Sequence, residues 1–94
     1  MNMIWDEAKR QIVIKEHGLD FAEMLDIFDD ACAVDFQDLQ HSTSKEIRYK
    51  IIGKTARYGL ICLVYTIRND QDRFITAWKA DKFETNEYEQ NKKS

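Results

Sequence analysis

The sequence has no proline, three glycines, two cysteines and two histidines among its 94 residues. Without proline there is no proline-rich linker, and what remains suits a compact chain with tight turns. No apolar run approaches the roughly 18–20 residues that cross a bilayer. The opening MNMIWDEAKR lacks the apolar h-region of a signal peptide, so a cytoplasmic location with no membrane contact is expected. Cys32 and Cys62 lie in apolar, strand-like contexts with no nearby His or Cys to complete a metal set. They are expected to be buried free thiols, a disulfide between them being the alternative, and no metal or cofactor is expected. Excess positive charge is also missing: a net charge of −3, taken alone, argues against a nucleic-acid partner.

The distribution of charge says something different. Residues 1–44 carry three Lys/Arg against ten Asp/Glu, residues 45–79 eight against three, and residues 80–94 three against four. An acidic half is followed by a basic stretch able to attract phosphate; the plainer reading is a sheet whose solvent face happens to be cationic. The basic stretch reads as three strands, KEIRYKIIGK, GLICLVYTIR and DRFITAWKA, joined by Thr55–Tyr58 and Asn69–Gln71. In the first, Ile47, Tyr49 and Ile51 alternate with Glu46, Arg48 and Lys50. Leu60 to Ile67 is apolar at nearly every position, as in a strand covered on both faces. Asn69-Asp70 is a turn signal that makes the last two strands an antiparallel hairpin.

Ahead of this meander, Met3–Trp5 reads as a short strand or lead-in, and Asp6 caps a helix to about Glu16. Trp5, Ala8 and Ile12 form its apolar stripe, widened by Val13 and Ile14, and His17-Gly18 ends it. Asp20 caps a second helix to about Asp29, with Phe21, Met24, Leu25 and Phe28 on its buried face. Ala31–Phe36 is a further candidate strand, and Asp38–Ser44 a polar loop on which His41 should be solvated. Asp26, Asp29, Asp30, Asp35 and Asp38 have no metal-ligand spacing and read as a solvated face or a partner surface. After the meander, Asp81 caps a last helix to about Gln90, with Glu84 completing a D-x-x-E capping box. Asn91–Ser94 should fray. The expected fold is α+β, a single domain over residues 1–94 with its helices packed on one sheet face. Two N-terminal helices and a C-terminal helix would cover an antiparallel sheet of about four strands.

Four motifs in order resemble one family. The first is Trp5, Asp6, Lys9, His17, Gly18, Leu19 and Phe21, followed by Phe28 and Asp30. The second is Arg48, Tyr49 and Gly53, and the third is Val64, Tyr65, Thr66 and Arg68. The fourth is Arg73-Phe74-Ile75-Thr76-Ala77-Trp78-Lys79-Ala80, then Glu84, Tyr88 and Glu89. Over residues 4 to 89 the chain is similar to the BrnT family, the ribonuclease toxins of BrnT–BrnA type II toxin–antitoxin systems, which have a RelE-like fold. It departs from the family pattern at Trp78, where arginine is usual, at Val13 (asparagine) and at Glu16 (lysine). The resemblance implies a toxin that cleaves RNA without metal and inhibits translation. It further implies a BrnA-like antitoxin whose ribbon-helix-helix part contacts operator DNA. A homodimer and a heterotetramer with the antitoxin are both left open.

Such cleavage has the 2′-hydroxyl attack its neighbouring phosphate, with a base to take that proton, an acid for the 5′-oxygen and cations for the phosphorane. Arg48 and Arg73 are the catalytic arginine candidates, since a guanidinium donates bidentately to phosphate oxygens. Glu84 is the base candidate, against its simpler role as a helix cap, and His17 an acid or base candidate, against interaction with terminal carbonyls. Lys50, Arg68, Trp78 and Lys79 are candidates for RNA binding, Trp78 by stacking a base. The plainer readings are solvated cations and a core tryptophan alternating with Phe74. Tyr88 either orients Glu84 or anchors the last helix. A non-catalytic relative that only binds an antitoxin or another protein is the alternative function, and Trp78 in an arginine's place is the feature that favours it.

Overall fold

The computed structural model describes residues 2–93. In chain order it has β1 (Asn2–Trp5), α1 (Glu7–His17), two 3-10 turns (Phe21–Glu23 and Leu25–Asp29), β2 (Val34–Gln37), β3 (Arg48–Thr55), β4 (Gly59–Arg68), β5 (Gln71–Lys79) and α2 (Lys82–Lys93). The strands form one sheet in the order β1-β5-β4-β3-β2. β1 lies parallel to β5 and the remaining pairs are antiparallel. The expected four-stranded antiparallel sheet is therefore corrected to five strands and mixed pairing. The β4–β5 hairpin turns through Asn69 and Asp70, both at positive φ (53° and 61°), as a two-residue turn requires.

One sheet face is closed by α1 and the 3-10 turns. Val13, Leu19, Phe21, Met24 and Ile27 pack there on Ile51, Ile61, Leu63, Tyr65, Phe74 and Ala77. Trp5 and Phe21 lie 5.7 and 5.6 Å from Phe74, ring to ring, and Phe28 stacks on it at 6.0 Å. The segment expected as a second helix buries Phe21, Met24 and Ile27, three residues apart. That spacing suits three residues per turn, so the segment is 3-10 rather than α. Leu25, expected inside, is 38% exposed. On α1 only Val13 is buried; Ala8 and Ile12 face solvent, against the expected stripe. Its ends are as read: Asp6 accepts from the Ala8 N–H at 2.8 Å, and Gly18 closes it in the left-handed conformation (φ 68°).

The last helix packs on the opposite face, not beside the others. Tyr88 of α2 joins Ile52 and Cys62 there, with Val34, Leu60 and Trp78 at the margin. Asp81 and Glu84 exchange the reciprocal bonds of a capping box (2.8 and 2.9 Å). α2 continues through Lys93, where fraying was expected; Ser94 lies outside the described residues. Cys32 and Cys62 are unbonded, Cys62 buried and Cys32 only half-buried.

Of the acidic run only Asp29 fits a solvated face; the other four carboxylates have internal partners. Asp26 accepts from the Ala56 N–H, and Asp30 accepts from the N–H groups of Cys32 and Lys54 and from the Tyr88 hydroxyl. Asp35 accepts from the Tyr65 hydroxyl at 2.6 Å. Buried Asp38 lies 2.6 Å from Nδ1 of His41, which is therefore tied down rather than freely solvated. These carboxylates clamp turns and strands. No helix among the described residues is long and apolar enough to cross a membrane.

Candidate functional site

A β-bulge decides what the second face carries. Val64 pairs with Thr76 and Tyr65 with Phe74, so Ile75 is an extra residue in β5. Strict alternation would put Arg73 and Trp78 on opposite faces, and Phe74 and Trp78 on the same one. The extra residue reverses both relations. Phe74 enters the aromatic core, while Arg73 and Trp78 share the face under α2. The expectation that Trp78 alternates with Phe74 in one core is corrected.

Register then assembles the cations. Arg48 and Arg73 both pair with Thr66, from its two sides, so they flank one β4 residue. Two strand spacings place their Cα atoms about 9–10 Å apart, within reach of one phosphate for two long side chains. Lys50 follows on the same face of β3, and Arg68 on the same face of β4. Glu46, just before β3, accepts from Arg48 Nε at 2.8 Å and from Arg68 Nη2 at 3.1 Å. The Arg48 hydrogen bond is the main reason the Glu46 carboxyl is held below its ordinary pKa. Arg73 is half-buried and has no hydrogen bond or ion pair among the described residues. A cleft of about 370 Å³ opens beside Glu46, Tyr49, Thr66 and Arg68 at the end of β3 and β4.

Glu84 sits at the other end of this face, only 5% exposed. Its oxygens accept from Trp78 Nε1 (3.0 and 3.2 Å), Lys50 Nζ (3.2 Å) and the Asp81 N–H (2.9 Å). Burial pushes its pKa up, but these donors and the Cys62 thiol outweigh burial and hold it below the usual glutamate value. The carboxylate is thus charged, internal and saturated with donors. Lys50 Nζ also lies 5.5 Å from the Phe36 ring centroid and 5.7 Å from that of Trp78. Glu84 and the two rings fix the ammonium beside the arginines.

Arg48, Arg73, Lys50, Arg68, Trp78 and Glu84 are brought together. His17 is not: it is exposed at the end of α1, the helix on the aromatic side. Lys79 pairs with core residue Ile61, which turns it to that same side. Tyr88 anchors α2 by donating its hydroxyl to Asp30 rather than to Glu84. Sequence reasoning missed Glu46 as the bridge between two arginines, although its place in the Glu46–Arg48–Lys50 alternation was a signal. It also missed Phe36 and Phe83, both exposed beside Lys50 and Glu84.

The fold and site define a small α+β protein with a cationic sheet face. The family described as the ribonuclease toxin BrnT of type II toxin–antitoxin systems matches residues 5–84, and the chain belongs to that family. It is similar to the Brucella abortus ribonuclease toxin BrnT, whose crystal structure was determined at 1.1 Å. The two share 28% identity and a TM-score of 0.67, over 87% of this chain and 99% of the Brucella chain. A comparison with curated proteins gives no match.

Proposed function

We propose that this protein is a metal-independent endoribonuclease toxin with a RelE-like fold that slows translation until a BrnA-like antitoxin masks its cationic face. The observation that carries this reading is the row Arg48–Thr66–Arg73, with Lys50 fixed beside it by Glu84. Arg48 and Arg73 would bind the scissile phosphate and the charge that grows on it as the 2′-hydroxyl attacks, with the hydroxyl proton passing to solvent water, since no free base lies on this face among the candidates. Lys50 would donate a proton to the departing 5′-oxygen. Glu84, with its oxygens occupied, serves as the group that holds Lys50 and Trp78, in place of the base suggested by its position in the motif. Rate acceleration would then come mainly from preorganised positive charge. Operator DNA would be contacted through the antitoxin, and the chain would act in the cytoplasm as one domain.

The test is incubation of the purified protein with messenger RNA in chelator. Cleavage is expected, and Arg73→Ala should slow it by at least about 100-fold, the scale of one lost transition-state donor. Intact RNA after prolonged incubation with folded wild type removes the enzyme reading. The second reading, a non-catalytic antitoxin binder, is favoured by Trp78, which gives Glu84 a neutral N–H where the family pattern has a cation. Cleavage that appears only in Trp78→Arg would establish that reading.

A further inference from the structure

Between the first turn of α2 and the β2–β3 ribbon lies a cleft of about 270 Å³ lined by Phe36, Lys50, Ile52, Phe83, Glu84 and Glu87. Its two aromatic walls are exposed, Phe36 by 40% and Phe83 by 70%. Exposing two phenyl rings to water across one cleft has a hydrophobic cost, and nothing in the packing of the sheet or of α2 requires it. We propose that this cleft is a subsite for one nucleobase of the RNA strand, and that Glu87 makes guanine the preferred base. The proposal rests on the ribonuclease reading and deepens it.

Three observations favour a base as the occupant. The cleft is continuous with the cationic face: Phe36 pairs with Lys50, two residues along the same face of β3 from Arg48. Two residues of strand span about 6.6 Å, a separation suited to one nucleotide with its phosphate at the arginines and its base between the rings. Aromatic walls are how proteins hold unstacked RNA bases. The polar rim also has a definite sign. Glu84 is consumed by internal donors, so Glu87, exposed on the next turn of α2, is the acceptor left facing the cleft. A carboxylate presents two acceptors side by side. Guanine alone among the four bases presents two adjacent donors, N1–H and N2–H, on its Watson–Crick edge. Adenine and cytosine offer one amino group beside an acceptor, and uracil a single N–H between two carbonyls.

The test measures binding of fluorescent hexanucleotides carrying 2′-O-methyl groups, which block attack by the 2′-oxygen, with a single guanine or a single adenine in otherwise uridine sequence. The wild type is expected to bind the guanine oligonucleotide several-fold tighter. Phe83→Ala, a change at an exposed position, should weaken both by about tenfold, the scale of one lost base–aromatic stack. Glu87→Gln should abolish the preference while keeping affinity for the adenine oligonucleotide. Wild-type affinity in Phe83→Ala, alongside loss in Arg73→Ala, overturns the subsite and leaves the ribonuclease reading standing. Wild type that binds neither oligonucleotide removes both. Phe83→Ala that keeps RNA affinity but loses the antitoxin makes the cleft a protein-docking surface and also overturns the proposal.

Discussion

The two faces of the sheet draw alternate residues from the same strands, yet they are finished in opposite ways. On one, Tyr49, Ile51, Leu63, Tyr65 and Phe74 meet α1, the 3-10 turns and Trp5, and rings pack on rings. On the other, α2 packs on Ile52 and Cys62 with Val34, Leu60 and Trp78 at the margin, its Glu84 holds Lys50 at the edge, and beyond it the same strands present Arg48, Arg68 and Arg73. A helix that covered this face fully would have to bury three arginines as well, each at a desolvation penalty of several kcal/mol unless paired. Covering half the face is the physical compromise: the apolar half secures α2, and the charged half stays open to an anion.

The sharpest way to break this comparison uses two neighbours in β5. Phe74 is fully buried against three other rings, so Phe74→Ala should cost about 3–5 kcal/mol in urea unfolding. Arg73→Ala should change stability by no more than about 0.5 kcal/mol while removing most RNA cleavage. Equal stability losses at the two positions would mean that the faces are not divided between packing and chemistry.

Much of this division was legible in the sequence. Alternation in KEIRYKIIGK placed Arg48 and Lys50 opposite Tyr49 and Ile51, and the charge blocks marked the meander. The D-x-x-E cap and His17-Gly18 fixed two helix ends. What could not be read has particular causes. The bulge at Ile75 leaves no signature in the apolar run that contains it, and it alone decides that Trp78 joins Arg73 rather than Phe74. The parallel pairing of β1 with β5 joins segments from opposite ends of the chain, which local pattern does not report. The carboxylates looked solvated because their partners are backbone N–H groups and tyrosine hydroxyls that come close only after folding. For the same reason Glu84 read as a helix cap or a base candidate, and its bonds to Trp78 and Lys50 could not be foreseen.

A smaller effect sharpens how closely the covered face is packed. Gly53 in β3 lies directly beneath the second 3-10 turn. A Cβ there would come within 2.7 Å of Ile27 Cγ1 and 3.3 Å of Ala33 Cβ. Ile27 is fully buried and has no solvent to turn into. Gly53→Ala is therefore expected to cost about 1–3 kcal/mol in urea unfolding, as overpacking does. A neutral result would mean that the turn can lift off β3, and that this face is held by its aromatic cluster alone.

The smallest expected effect concerns the bond by which the half-covering helix is tied to the rest of the molecule. Tyr88 of α2 donates its hydroxyl to Asp30, 2.8 Å away, at the edge of the acidic segment. Burial raises the Asp30 pKa, but the Lys54 and Cys32 N–H groups and this hydroxyl together bring it below the ordinary aspartate value. A carboxyl depressed in the folded state stabilises above its unfolded pKa, so this contribution should hold at neutral pH and disappear as pH falls below about 4. The Tyr88 hydroxyl is pushed up to about 12, chiefly by burial and then by Asp30. Its sign is the reverse: a proton retained by the folded state and lost by the unfolded one gives stability that declines as pH rises from about 10 towards 12. Tyr88→Phe should therefore lower stability by about 1 kcal/mol at pH 7. With one donor to Asp30 removed, it should also make the acid loss below about pH 4 smaller, and flatten the alkaline decline between about pH 10 and 12 in a Tm-versus-pH series. An alkaline limb unchanged in Tyr88→Phe would assign that decline to another tyrosine, and α2 would then be held to the sheet by its apolar contacts with Ile52 and Cys62 rather than by this bond.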